Sequence, residues 1–210
     1  MRLIPASTCQ RQRWKNDGGW TTEIARAADP AGNPGDFLWR ASIAEIEGDG
    51  AFSVFPGIAR DLLLLEGAGM DLTIGSGKPV RLARRFERIH FDGASPVDCR
   101  LLDGPTRDFN VMVRGNALRA EVLARPLAGT MVILPAPASE WLVHAWSGEA
   151  SATRDGRTFA LAAGDSLHAG HAGGRILLEG AGELVMVRFD TLGTDAAPPG
   201  HRPGSHGGDC

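Results

Sequence analysis

The sequence predicts an all-β fold, built as two antiparallel sandwich barrels in tandem. Three observations predict it. Short apolar runs alternate with polar residues at period 2. The chain carries 28 glycines and 13 prolines that punctuate those runs. Past about residue 125 the pattern restarts, as a second set of strands would. Hydrophobic residues make up 43% of the 210, enough for a real core. Closing sheets into barrels removes exposed edges and leaves a mouth at one end.

The elements follow from the spacing. Residues 37–46 read as a strand with Phe37, Trp39, Ala41 and Ile43 on one face and Arg40 and Ser42 on the other. Leu62 to Leu65 run into Glu66-Gly67-Ala68-Gly69, and Met70, Leu72 and Ile74 then alternate with Asp71 and Thr73. Strand, glycine turn, strand is a hairpin signal. Val97, Cys99 and Leu101 alternate in turn, and Gly104-Pro105 marks a break. Phe109, Val111 and Val113 then alternate with Asn110, Met112 and Arg114.

In the second set, Met131 to Leu134 is a strand stopped by Pro135 and Pro137, and Trp141 to Trp146 is another. Asp155-Gly156 is a two-residue hairpin turn between 151–154 and 157–161. Strands at 175–178 and 183–189 lie across Gly180-Ala181-Gly182. Leu64–Gly69 and Leu177–Gly182 share the hexapeptide Leu-Leu-Glu-Gly-Ala-Gly. Duplication and reused hairpin chemistry explain it equally well. The expected division is a first barrel over 1–120, a second over 121–192, and a disordered tail over 193–210, whose Pro-, Gly- and His-containing run cannot bury apolar area.

Composition excludes several functions. A net charge of −3 argues against a nucleic-acid surface. No window reaches the roughly 20 apolar residues of a membrane span, so no membrane partner is expected. Met1–Pro5 lacks the apolar core of a signal peptide. Cys9, Cys99 and Cys210 are an odd, scattered set that fits reduced thiols in a cytoplasm. His168 and His171 have no evident third ligand, so no metal and no cofactor are expected. There is no Gly-x-Ser-x-Gly elbow, and Cys9 and Cys99 have no identifiable base. His201 and His206 belong to the tail composition.

The richest stretch is Trp14–Ile24, where Lys15, Asn16, Asp17, two glycines, Thr21 and Glu23 sit between and after two tryptophans. Glycines allow close backbone approach and indoles exclude water, so such a loop can hold a small polar ligand. Arg40 and Ser42 share one strand face. Facing water, they are ordinary surface residues. Facing inward, Arg40 needs an anion: Glu23, Asp108 or a ligand carboxylate. In residues 48–61, Phe52 and Phe55 flank a Pro56-Gly57 turn. There Arg60 either caps local carbonyls or joins Ser53 as a donor at the mouth. Asn110 and Met112 share a face that is a solvated edge or a site wall.

Trp14–Ile24, Trp39–Ala44, Gly50–Arg60, Leu62–Met70 and Leu102–Arg114 together resemble the HutD/Ves family of bacterial proteins. The resemblance spans most of the first 115 residues and is looser beyond. It implies a two-barrel cupin fold (a bicupin) associated with histidine utilisation and no established enzyme activity. It implies that Lys15, Asn16, Thr21, Glu23, Arg40, Ser42, Phe52, Ser53, Arg60, Asp108, Asn110 and Met112 are ligand-binding positions. Asp17 stands where the family usually has the first of three glycines. Asp tolerates a left-handed backbone better than most residues. The expected partner is a small anionic metabolite such as urocanate or formylglutamate, bound without turnover. The rival is a metal-free isomerase or hydrolase with Glu23 as base. A homodimer formed through a sheet is compatible with such barrels.

Overall fold

The computed structural model describes residues 1–33, 35–171 and 173–192. The expected tail at 193–210, with Cys210, lies outside them. Strands account for nearly all regular structure: β1 (Arg2–Ile4), β2 (Gln10–Arg13), β3 (Gly19–Ala28), β4 (Phe37–Ile46), β5 (Gly50–Ala51), β6 (Ile58–Glu66), β7 (Met70–Ile74) and β8 (Val80–Leu82). They continue as β9 (Arg88–Asp92), β10 (Val97–Leu101), β11 (Thr106–Arg114), β12 (Leu118–Ile133), β13 (Ser139–Arg154), β14 (Arg157–Ala162), β15 (Ser166–Ala169) and β16 (Ile176–Thr191). Among the described residues there is no α-helix. The all-β expectation holds.

The strands form three sheets, in the orders β2-β3-β4-β11-β6-β9, β5-β10-β7-β8 and β1-β15-β13-β16-β12, with β14 added to β13. Each order runs from one edge to another, so the hydrogen-bond ladders do not close as the expected barrels would. Packing takes the place of closure. In the first half the six-stranded and four-stranded sheets face each other across Ala44, Ile46, Leu62, Leu64, Met70, Leu72, Val97 and Cys99. That is a sandwich, held by burial between faces.

In the second half a single sheet folds over its own core. Strands β12, β13 and β16 are each 16 residues long. The two strands expected on either side of Gly180-Ala181-Gly182 are one, β16, and those expected at 141–146 and 151–154 are one, β13. The glycines bend the strands without ending them. Gly148 (φ 77°), Gly180 (φ 145°) and Gly182 (φ 153°) adopt positive φ while their neighbours stay paired. A Cβ on Gly182 would lie 2.0 Å from the Ser147 carbonyl oxygen.

Alternation places the core. On β4, Trp39, Ala41 and Ile43 point one way; on β11, Phe109, Val111 and Val113 do the same. They pack against Leu142, Val185, Val187 and Phe189 of the second half. Trp39 stacks on Phe189 with centroids 4.4 Å apart. The opposite face of β4 and β11 is therefore turned inward between the sheets of the first half. The halves also share strands. Residue 120 lies inside β12, and β1 pairs with β15, Arg2 opposite His168.

Candidate functional site

The inward face of β4, β11 and β6 floors a cleft of about 460 Å³. Pairing fixes its rows. Arg40 lies opposite Met112, which lies opposite Arg60; Ser42 opposite Asn110 and Leu62; Ala44 opposite Asp108 and Leu64. Two guanidiniums thus flank a thioether, a hydroxyl and an amide come next, and a carboxyl follows. Lys15, Asn16, Thr21, Phe52 and Ser53 complete the wall. Of the twelve expected positions only Glu23 does not line the cleft; its Oε2 stands 2.9 Å from Arg40 Nε and its Oε1 3.6 Å from Arg26 Nε. Arg40 therefore faces inward and Glu23 holds it from the side. The approach lacks hydrogen-bond alignment, and Arg40 Nε has no hydrogen-bond partner.

The Trp14–Ile24 stretch is not a loop throughout. Residues from Gly19 form β3, favoured by the β-branched Thr21, Thr22 and Ile24. A Cβ on Gly19 would sit 2.2 Å from the Glu45 carbonyl oxygen, which fixes the close approach of the turn to β4. Asp17 has φ 56° and so fills the left-handed position without a glycine. Its side chain is 83% exposed and paired with Arg13, and it does not itself line the cleft. Asn16 Oδ1 accepts from the Gly18 amide at 3.2 Å, and Trp14 Nε1 donates to Thr21 Oγ1 at 2.7 Å. Trp14 meets Phe52 edge-on at 6.4 Å. Thr21 thus sets the indole wall.

Arg60 lies on a strand, not in the connection where the sequence put it, and is 5% exposed. Its guanidinium sits 5.5, 5.7 and 5.0 Å from the ring centroids of Phe52, Phe55 and Phe91. Nη1 reaches the Ser53 carbonyl at 3.4 Å. Burial lowers its pKa to about 10, which leaves it charged at neutral pH. Asp108 is 1% exposed and neither oxygen has a hydrogen-bond partner. Burial pushes its carboxyl up to about 7, with Arg60 pulling the other way. The same burial, with Asp108 and Asp49 nearby, lifts the Cys99 thiol to about 12. That thiol packs at 3.7 Å on Met70 Sδ and is inert.

The sequence model of the HutD family matches residues 6–186. The chain belongs to the HutD family. That family is linked to histidine utilisation by its name and by relatives such as an uncharacterised 21.2 kDa protein in the hutC 3′ region of Pseudomonas putida. This relative is 41% identical over 122 residues, 58% of this chain and 63% of the relative. Protein Ves of Citrobacter koseri is 40% identical over 110 residues, 52% of this chain and 56% of that protein. The chain thus spans less than two thirds of the curated relatives it matches.

Solved HutD-like structures align over more. A conserved protein of unknown function from Pseudomonas aeruginosa is 31% identical with a TM-score of 0.79, covering 91% of this chain and 99% of that one. HutD from Pseudomonas fluorescens is 30% identical with a TM-score of 0.76, over 91% and 99%. An oxalate decarboxylase from Lactobacillus farciminis shares the fold alone, at 11% identity and TM-score 0.62, over 90% and 85%.

In this HutD chain no group of three or more His, Cys, Asp or Glu among the described residues is placed to hold a metal ion. The cleft is lined by one carboxyl and several cationic side chains, a donor set that does not fit a divalent cation. His168 and His171 both engage Glu140, each at 2.7 Å. No helix of the described residues is long and apolar enough to cross a membrane.

Sequence reasoning missed Gln12, Arg13, Ala44, Ala51, Phe55 and Leu62 as lining residues. Three were within reach of the pattern. Ala44 continues the period of Arg40 and Ser42, Leu62 that of Arg60, and Gln12 pairs opposite Thr21.

Proposed function

We propose that the protein binds a small carboxylate metabolite of histidine catabolism and senses or buffers it without turnover. One observation carries the reading. Arg40 and Arg60 arrive opposite one methionine on the floor of a single cleft, Arg60 Nε with no hydrogen-bond partner and Arg40 held only from the side by Glu23. Two such cations beside an apolar wall are a ready seat for a carboxylate. Ser42, Ser53, Asn16 and Asn110 orient its polar atoms; Phe52 and Met112 keep water out; Lys15 at the rim draws anions in. The reading takes the chain as a cytoplasmic bicupin, with the site in the half over 1–120 and a second unit over 121–192. A pair of such chains joined through a sheet is part of it.

Calorimetry with urocanate, formylglutamate and formiminoglutamate tests it. Arg40→Ala is expected to weaken the bound acid by about 10- to 100-fold, the value of a hydrogen bond to a charged group. Unchanged affinity removes Arg40 from the site and ends the reading.

Turnover is the second reading. Glu23 is a poor base for it, being engaged by Arg40 and Arg26. Asp108, poised near neutrality inside the cleft, is the group that favours it. Consumption of any of the three acids by pure protein, abolished in Asp108→Asn, would establish it in place of simple binding.

A further inference from the structure

The unpartnered polar atoms of the cleft are sorted by kind. Donors lie at one end, where Arg60 Nε has no hydrogen-bond partner and Arg40 Nε has only the sideways ion pair with Glu23 at 2.9 Å. Acceptors lie at the other, where both Asp108 oxygens and Asn110 Oδ1 have none. The order runs along one strand: Met112 between the arginines, then Asn110, then Asp108. Four residues of strand span about 13 Å of backbone, and the cleft they floor holds about 460 Å³, room for a small molecule.

Arg60 does not close that gap itself. It lends Asp108 a favourable field without a hydrogen bond. The Cys99 thiol, facing from β10, stays protonated and adds no charge. A buried carboxyl without a donor is costly, and such groups in native proteins usually have a role. A carboxylate ligand satisfies the arginines and leaves Asp108 as it was. A second carboxylate at that end would face it with like charge.

We propose that the cleft reads both ends of its ligand: Arg40 and Arg60 take a carboxylate, while Asp108 and Asn110 take an N–H donor on the same molecule. The ligand class is then a carboxylic acid carrying a nitrogen heterocycle, amidine or amine, not a plain dicarboxylic acid. This rests on the carboxylate reading above and adds the residues that decide between acids.

Calorimetry on the full chain separates the two. Urocanate is compared with 3-(2-furyl)acrylate, an acid of nearly the same shape without an N–H. Both are repeated on Asp108→Leu, which keeps the branched shape of the side chain and removes the acceptors. The wild-type protein is expected to bind urocanate at least tenfold tighter. The variant is expected to bind the furan acid at least as well as wild type, with its preference for urocanate cut to under threefold. Equal wild-type affinities overturn the N–H assignment and leave the carboxylate seat standing, and that comparison needs no variant to fold. A preference that survives in Asp108→Leu also overturns it. Heat from neither acid overturns this inference, and the formylglutamate and formiminoglutamate titrations then decide the carboxylate reading by themselves.

Discussion

The facing sheets of the first half enclose Arg40, Arg60 and Asp108, whereas the folded sheet of the second encloses Trp141, Val143, Leu161, Leu167, Ile176 and Leu178. Both interiors are lined by alternating strand positions, so the strand pattern alone does not decide what an interior is for. One is packed with side chains whose burial stabilises it. The other keeps room and holds charges that burial makes costly. The first half can afford this because its other face is anchored to the second through Trp39, Phe109 and Phe189. Recognition and stability are thereby assigned to opposite faces of the same strands.

The largest test of that division is Phe189→Ala. Loss of a fully buried aromatic at the contact between halves is expected to cost about 3–5 kcal/mol, read from the denaturant midpoint. A loss below about 1 kcal/mol would mean that the halves stand independently.

Asp108→Asn should do the reverse. The native carboxyl titrates near 7 against an ordinary 3.8, so the folded state binds the extra proton between those values. Wild-type stability therefore falls as pH rises through that window, and the full penalty is present above it. The variant should gain a few kcal/mol at pH 8 and little at pH 4, measured by urea denaturation.

The second half carries the opposite case. Burial holds His144 down to about 4, with Arg107 adding to the effect, so its contribution is lost as pH falls from 6.5 toward 4. Replacing His144 by Gln should flatten the acid limb and leave the alkaline one alone.

Backbone tests are smaller. Gly182→Ala, forced against the Ser147 carbonyl at φ 153°, is expected to cost about 1–3 kcal/mol. Gly104→Ala, at a left-handed φ of 65° with open space around it, should cost only about 1 kcal/mol. Smallest is Asp17→Gly. It relieves a left-handed Asp, should shift stability by under about 1 kcal/mol, and should leave ligand affinity within about twofold. A larger loss of affinity would bring Asp17 into the site.

Much of the first half was legible. The strand expected at 37–46 is β4, Phe37–Ile46, and the opposed faces of β4 and β11 were readable from period 2. The face that Arg40 takes was not. Alternation divides a strand into two sides and cannot say which one another sheet covers. The start of strand β3 was hidden because Gly18-Gly19 read as loop, and only Glu45 across the ladder reveals why Gly19 is needed. The shared hexapeptide makes the same point. At 64–69 it ends β6 and turns into β7; at 177–182 it runs on inside β16. Local chemistry permits both outcomes, and the neighbouring strand chooses.

The pairing of β1 with β15 has a consequence for synthesis. Leu3 leaves the ribosome long before Leu167 exists to receive it. Until then the early segment has an unpaired edge and must avoid competing partners. The strand that receives Leu3 thus comes from far along the chain, and this long-range pairing can close only after most of the first half has been made.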